Sequence, residues 1–468
     1  MKYISTRGKA PALGFEDVLL AGLARDGGLY VPESLPILDL DAFGGLPFAQ
    51  AAFQAMHAFV AGEIPDADLR TILAEAYATF HHPATCPLVQ IGVNEWVLEL
   101  FHGPTLAFKD VAMQVLGRLM DRALRKRGGR ATVVGATSGD TGSAAIEAFR
   151  GRDAIDIFIL HPHGRTSEVQ RKQMTTALEA NVHNIAIEGD FDACQALVKA
   201  MFNDLALRDK LQLSGVNSIN WARIMAQVTY YVTAAAALGA NAARKVSFAV
   251  PTGNFGDVLA GNIAAMMGLP VARLMVATNS NDILARAINT GLYEPRETIA
   301  TQSPSMDIQV SSNFERLLFE IAHRRPEQVR GWMADLRAKG KFSFDATILR
   351  HQLGPEAFEA VAIDETATTE TMAGTYSASG YLVDPHTAVG IAASRRLGQR
   401  EGEPVICLAT AHPAKFPSAV ERAIGRKPEI PERLARVLGA KERFAVLPND
   451  FATVAKFISE RTRVGGPT

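Results

Sequence analysis

Two periodicities of apolar residues divide this chain, and the change between them falls near Trp96. Upstream, residues 46–59 (LPFAQAAFQAMHAF) and 66–80 place apolar side chains at helical spacing, with Asp66 and Asp68 suited to a first turn. Residues 15–24 predict another helix ahead of the Gly27-Gly28 turn. Nothing in residues 1–95 carries obvious chemistry, so they read as a mostly helical packing or interface domain. From Trp96 onward, short β-rich runs at 96–101, 132–134, 155–160, 182–187, 246–250, 274–277 and 405–408 alternate with helical runs at 109–126, 142–149, 191–207, 220–238 and 257–267. This alternation predicts an α/β fold with mostly parallel sheets covered by helices on both faces. In such folds ligands bind beyond the carboxyl ends of the strands, where the strand order switches. Residues from about 290 to 380 interrupt the pattern with charge-rich helices at 313–323, 326–338 and 364–374 and few strand signals, predicting a mostly helical insertion. After Tyr381 the alternation resumes, and the tail from about 425 reads as helical.

Composition narrows the class. At 468 residues the chain can form two or three domains, and 48% hydrophobic residues with 38 glycines fit an α/β enzyme. A formal charge of −1 gives no global field for nucleic acid or an anionic membrane. Cys86, Cys194 and Cys407 have no metal or CxxC spacing, which implies a reducing compartment. The first residues lack the apolar core of a signal peptide, and no apolar run approaches the roughly 20 residues of a membrane helix. The expectation is a cytoplasmic protein. His81, His82, His161, His163 and His386 offer no ligand set with matching carboxylates or cysteines, and no metal is assigned.

The candidate chemistry begins at Phe101-His102-Gly103-Pro104-Thr105-Leu106-Ala107-Phe108-Lys109-Asp110. A Gly-Pro turn leads into an apolar run, placing Lys109 at the start of a buried helix. Burial disfavours the charged ammonium, and a neutral amine forms a Schiff base with a carbonyl cofactor. The alternatives are a lysine that snorkels to solvent or pairs with Asp110. Four loops follow, each entered from a strand or opening a helix. In Val133–Ser143 (VVGATSGDTGS) amides and hydroxyls would surround an anion at a helix N-terminus. Ser143 stands where a P-loop needs lysine, and the glycine spacing is not that of a dinucleotide fingerprint, so a clamp for a small carboxylate fits best. Val250–Asp257 (VPTGNFGD) is either a phosphate cradle, two glycines letting amides converge, or an ordinary tight turn. Asn217-Ser218-Ile219-Asn220-Trp221-Ala222-Arg223 suits a second phosphate, or is a capped helix with a surface arginine. In Leu408–Phe416 (LATAHPAKF), Thr410 could offer its hydroxyl to a ring nitrogen.

One lysine placed for a Schiff base and two phosphate-sized cradles point to a pyridoxal phosphate enzyme acting on a phosphorylated substrate. HGPTLAFKD, VVGATSGDTGSAA, VNSINWARI, VPTGNFGD, TNSNDIL, SSNFERLL, DPHTAVG and TAHPAKF, together with LARDGGLYVP near the N-terminus, resemble in the same order the motifs of the threonine synthase family, of its longer bacterial and fungal type. The resemblance implies the tryptophan-synthase β-like fold, two three-layer α/β subdomains closing on the cofactor. The division it implies is an N-terminal domain (1–95), a large pyridoxal phosphate domain (96–125 and 240–430, with the 290–380 insertion), a small subdomain (126–239) and a helical tail (431–468). It implies conversion of O-phospho-L-homoserine and water to L-threonine and phosphate, by γ-elimination and β-addition of water. Carried over by position, Lys109 holds pyridoxal 5'-phosphate and moves the protons, while Gly253, Asn254, Phe255, Gly256 and Asp257 hold its phosphate. Thr410 faces the pyridine nitrogen and Asp140 lies beside the 3′-oxygen. Ser138, Gly139 and Thr141 take the substrate carboxylate; Asn217, Ser218 and Arg223 take its phosphate. Two departures stand out. Shorter relatives have asparagine where Asp140 stands, and relatives with a glycine-serine-phenylalanine-lysine turn have a phosphate-binding lysine where Phe101 stands, for which His102 is the nearest replacement. Competing activities are a phospho-lyase giving 2-oxobutyrate, a non-catalytic phosphometabolite-binding protein, and a dehydrogenase built on the Gly135–Gly142 loop. No nucleic acid or membrane partner is expected, and the protein would be a monomer or homodimer.

Overall fold

The computed structural model describes residues 1–137, 139–215, 218–351 and 356–465. Ser138 and Asn217, both expected in the site, lie outside the described residues. The chain divides into two compact units. One comprises 1–18, 23–111 and 218–428; the other comprises 19–22, 112–215 and 429–465.

In the first unit a six-stranded sheet runs in the order Ala357–Ala362, Val271–Thr278, Val246–Pro251, Val405–Ala409, Glu95–Glu99 and Leu88–Gly92. Every neighbouring pair is parallel except the final one, which is antiparallel. Val246–Pro251, Val271–Thr278 and Val405–Ala409 are buried at every residue, as expected of parallel strands covered on both faces. From Val246–Pro251 the chain steps outward to Val271–Thr278 and Ala357–Ala362. It then returns on the other side as Val405–Ala409. The strand order therefore reverses between 246–251 and 405–409, and folds of this kind bind ligands beyond the carboxyl ends of such strands. The N-terminal helices Phe48–Val60 and Asp66–Tyr77 form where the apolar spacing placed them.

The stretch read as a mostly helical insertion departs from expectation in one respect, because Ala357–Ala362 within it is the sheet's edge strand. Its sequence, AFEAVA, is half-buried and lacks the continuous apolar run of a central strand. Glu359 on it pairs with the buried Arg273 of the neighbouring strand at 3.0 Å. Leu292–Tyr293 also pairs with Phe342–Ser343 as a short antiparallel ribbon.

In the second unit five parallel strands run in the order Ala445–Pro448, Val182–Glu188, Ile155–Pro162, Ala131–Ala136 and Leu213–Gly215. The tail is thus not purely helical: Ala445–Pro448 extends this sheet at its edge. The helix expected over 191–207 is broken at Asp204, whose carboxylate caps a second helix, Leu205–Leu211, by accepting from the Leu207 amide. Val134, Phe158, Leu160, Ile185 and Ile187 form the core with Leu197 and Met201.

The helix Lys109–Lys126 begins in the first unit, and the boundary falls within its first turn. Farther along it, Gly117 leaves no space for a side chain, since a Cβ there would stand 2.3 Å from the Ala148 carbonyl oxygen. Gly117→Ala is expected to lower stability by about 1–3 kcal/mol through this overpacking. Urea denaturation checks this, and an unchanged midpoint would show that the two helices separate freely.

Candidate active site

Three segments of the first unit leave adjacent strand ends. Glu95–Glu99 leads to Lys109, Val405–Ala409 leads to Thr410, and Val246–Pro251 leads to the Gly253–Asp257 turn. The first two are laced together by main-chain bonds. The Phe108 amide donates to the Thr410 carbonyl at 2.8 Å, and the His412 amide donates to that of Leu106 at 3.0 Å. Lys415 is buried and its Nζ donates to the Thr105 carbonyl at 2.8 Å. Asp110 shapes the turn from the other side, its carboxylate accepting from both the amide and the hydroxyl of Thr105 at 2.7 and 2.9 Å. Lys109 is thereby held at the first position of its helix and is only 8% exposed. Its Nζ stands 5.3 Å from the centre of the Phe108 ring. It does not reach into bulk solvent, which answers one of the two alternatives for it.

The Gly253–Asp257 turn opens the helix Gly256–Met266, and first-turn amides of a helix have no acceptor within it. They and the helix dipole favour an anion. Phe255 adopts φ +63°, a left-handed conformation unfavourable for a side chain of its size, and its ring is buried against Phe314 in an edge contact at 5.3 Å. At Gly253 a Cβ would stand 2.9 Å from the Ser305 carbonyl oxygen, so only glycine fits. Asp257 contributes through its backbone, because both the Tyr230 and Tyr231 hydroxyls donate to its Oδ1. Burial raises its carboxyl to about 6, against the lowering effect of the two tyrosines.

The segment expected to meet a second phosphate is described from Ser218 onward. Asn220 caps the helix Trp221–Ala237 through the Ala222 amide, and Trp221 is wholly buried against Tyr3 and Phe59. Arg223 falls in the first turn and is buried, which lowers its guanidinium to about 10 while leaving it cationic at neutral pH. It is not the surface arginine of the alternative reading.

Phe101 belongs to the apolar core with Val97 and Ala409. Phe101 is thus a packing position and supplies no charge to a phosphate. Beside it, His102 Nε2 lies 2.6 Å from Glu99 Oε2, and Tyr381 donates to Oε1 of the same carboxylate at 2.6 Å. Burial opposes ionisation of Glu99, but these two bonds outweigh it and hold its carboxyl below the usual range. Any charge on His102 is therefore matched locally by Glu99, which limits what it offers a substrate anion. Burial lowers His412 to about 4, and its Nδ1 accepts from the Ala414 amide to turn the chain after Thr410.

In the second unit, a residue absent from the expected set organises the glycine loop. The Thr137 hydroxyl accepts from the amides of Gly139 and Gly142, both at 3.0 Å. Asp140 begins the helix Asp140–Phe149, and its Oδ1 accepts from Gln170 at 3.2 Å. Gly139 lies against the same glutamine, whose side chain would overlap any Cβ. Thr141 is half-buried one residue farther along. A threonine before a glycine loop is a local side-chain-to-backbone signal, so Thr137 was available to sequence reasoning.

A buried lysine, a glycine turn at a helix N-terminus that side chains from neighbouring segments keep narrow, and a hydroxyl at an adjacent strand end fit pyridoxal 5'-phosphate. The model of pyridoxal-phosphate dependent enzymes matches residues 83–411, which makes this chain one of them. Within that class, the model of the threonine synthase N terminus matches residues 2–77 and that of the threonine synthase C-terminal region matches 387–458. Threonine synthase of Pseudomonas aeruginosa is 55% identical over the whole of both chains. The crystal structure of pyridoxal-phosphate-bound threonine synthase from Brucella melitensis superposes with a TM-score of 0.96 at 54% identity, covering 99% of this chain and 100% of that one. Threonine synthase from yeast superposes at 0.93 with 40% identity, covering 98% of each. The chain belongs to the threonine synthase family.

Because folded Asp257 holds its proton up to about pH 6 whereas an unfolded aspartate loses it near 3.8, the folded state binds more protons between those values. This contribution to stability is full below the lower value and is lost as pH rises through the upper one. Asp257→Asn keeps an acceptor for the tyrosines but cannot titrate. The variant is expected to gain on the parent by up to about 3 kcal/mol between pH 4 and pH 7.5. Chemical denaturation across that range tests it, and parallel stability curves would refute it.

Proposed function

We propose that this chain converts O-phospho-L-homoserine and water to L-threonine and inorganic phosphate with pyridoxal 5'-phosphate. The observation that carries the reading is the convergence of buried Lys109, Thr410 and the Gly253–Asp257 turn on adjacent strand ends, in a chain of the threonine synthase family. When bound, the cofactor supplies an electron sink for the negative charge left at the substrate's Cα.

The protein's own groups do the rest. The amides of Gly253, Asn254, Phe255, Gly256 and Asp257 hold the cofactor's phosphate, and Lys109 holds its aldehyde carbon. Thr410 meets the pyridine nitrogen with a neutral hydroxyl. By their family positions, Asp140 would be the partner of the cofactor's 3′-oxygen, and Gly139 and Thr141, with Ser138, would take the substrate carboxylate. Lys109 Nζ removes the proton at Cα and then one at Cβ, whose loss expels phosphate from Cγ. Protons return to Cγ, which becomes the methyl group, and to Cα, while water supplies the hydroxyl at Cβ and its remaining proton goes to the phosphate. Ser218 and Arg223, with Asn217, hold the leaving phosphate. Charge grows on that group as the Cγ–O bond breaks, so buried donors stabilise the transition state more than the ground state. Three buried cysteines, none in a disulfide, support a reducing, cytoplasmic setting, and a monomer or homodimer suits the reading.

Borohydride reduction followed by peptide mass spectrometry is expected to find one pyridoxyl adduct, on Lys109, and an adduct elsewhere would sink the assignment. Amino-acid chromatography of the product separates threonine from the 2-oxobutyrate of a phospho-lyase. Arg223→Ala is expected to reduce kcat/KM for O-phospho-L-homoserine by about 10²-fold or more. Added sulfate or phosphate partly restoring that variant's rate would place the lost guanidinium at the phosphate.

A further inference from the structure

The SSNFERLL motif has no part in the scheme above, yet its side chains meet both phosphate segments. The Asn313 amide donates to the Asn254 carbonyl at 3.0 Å, and its side-chain Nδ2 donates to the carbonyls of Asn254 at 3.2 Å and Ser218 at 3.3 Å. One fully buried side chain thus bridges the Gly253–Asp257 turn and the segment that starts at Ser218. Ser312 repeats the bridge with its hydroxyl, 2.9 Å from Ser218 Oγ and 3.1 Å from Asn254 Oδ1. Ser311 donates to the Gly253 carbonyl at 2.9 Å. Arg316, buried beneath them, donates to Asn313 Oδ1 at 2.6 Å and to the Ile219 carbonyl at 2.6 Å. It also donates twice to the carbonyl of Tyr30. These bonds join the two loops at their outer ends, adding to the bonds from Tyr230 and Tyr231 to Asp257 that tie the following helices together.

The distance between the two loops has chemical meaning, resting on the function proposed above. The substrate reacts while joined to the cofactor through its amine, so the two phosphates are then the ends of one molecule. The span between their cradles measures the number of carbons between the substrate's amine and its phosphate. We propose that Ser312 and Asn313 are positioning residues that set this span, and so select the phosphate ester at Cγ over its one-carbon-shorter homologue, the ester at Cβ.

The test compares O-phospho-L-homoserine with O-phospho-L-serine on the holoenzyme of the parent, Ser312→Ala, Asn313→Asp and Asn313→Ala. Equilibrium binding is read from the bound cofactor's visible absorption, and kcat/KM is measured for each ester. In the variants the preference for the longer ester is expected to fall by about tenfold, the consequence of releasing one or two hydrogen bonds at the bridge. A second readout is the affinity of the cofactor-free protein for pyridoxal phosphate, expected to weaken by a similar factor in the Asn313 variants. A merely structural role would lower thermal stability and both esters' turnover together, leaving their ratio where it was. An unchanged ratio in Ser312→Ala and in whichever Asn313 variant folds overturns the proposal. A parent protein that shows no cofactor absorption or no threonine overturns the underlying reading instead.

Discussion

A phosphate dianion removed from bulk water must be met by donors already in place, because each unsatisfied charge in a low-dielectric setting costs several kcal/mol. The backbone amides at the start of the helix Gly256–Met266 are the donors proposed for this role, and their direction depends on one unfavourable residue conformation, that of Phe255. A left-handed aromatic residue persists only where packing overdetermines it. Here the ring of Phe314 meets Phe255 edge-on, and Gly253 lies directly against the chain at Ser305 and Met306. The cradle therefore cannot relax without displacing residues some fifty positions later in the sequence, and its geometry is a property of the tertiary fold.

The same dependence governs Lys109. Its position at a helix start would be unremarkable alone. It is fixed because the preceding turn is bonded from opposite sides, by Asp110 within the turn and by Thr410, His412 and Lys415 from the neighbouring strand end. Parallel strands make this arrangement economical. Their carboxyl ends lie side by side, so a turn after one is naturally within hydrogen-bond reach of a turn after the next. Lys415 illustrates the division of labour between two lysines in similar surroundings. Its ammonium is committed to a carbonyl and is structural, while Lys109 stands beside an aromatic face.

Much of this was legible in the sequence, and the rest was hidden for physical reasons. Central strands such as Val246–Pro251 announce themselves because burial on both faces demands an unbroken apolar run. The glycine turns announce themselves because backbone approach excludes a Cβ. Ala357–Ala362 and Ala445–Pro448 did not, since an edge strand needs only half its residues apolar and resembles a loop or a helix fragment. Arg223 looked like a surface arginine in isolation. Only the burial of Trp221 against Tyr3 and Phe59, far away in sequence, shows that this helix end faces inward. Thr137 offered a local signal that was passed over. Asn313 offered none, because its partners lie about 60 and 95 positions upstream and no local pattern encodes such a bridge.

The stretch read as an insertion is better understood as the brace that the site requires. Its first part is tethered at several points by motifs that contribute no chemistry of their own. Asn279 and Asn281 both donate to the carboxylate of Asp307, and Asn281 is bonded twice to the Ile299 backbone. Asp384 fixes His386 with its ring proton on Nδ1, so Nε2 accepts from the amide of Ser305 at 3.2 Å. Ser305 is the residue whose carbonyl closes the space over Gly253. TNSNDIL, SSNFERLL and DPHTAVG thus brace the Gly253–Asp257 turn and the segment lying over it, through side chains bonded partly to backbone and partly to other side chains. Buried polar side chains of this kind stabilise little in net terms, since their bonds to protein replace bonds to water. What they provide is uniqueness: any alternative placement of the 299–316 segment would strand several buried donors at once. The function proposed for this site, with two phosphates held at a fixed separation, would need that property more than additional stability.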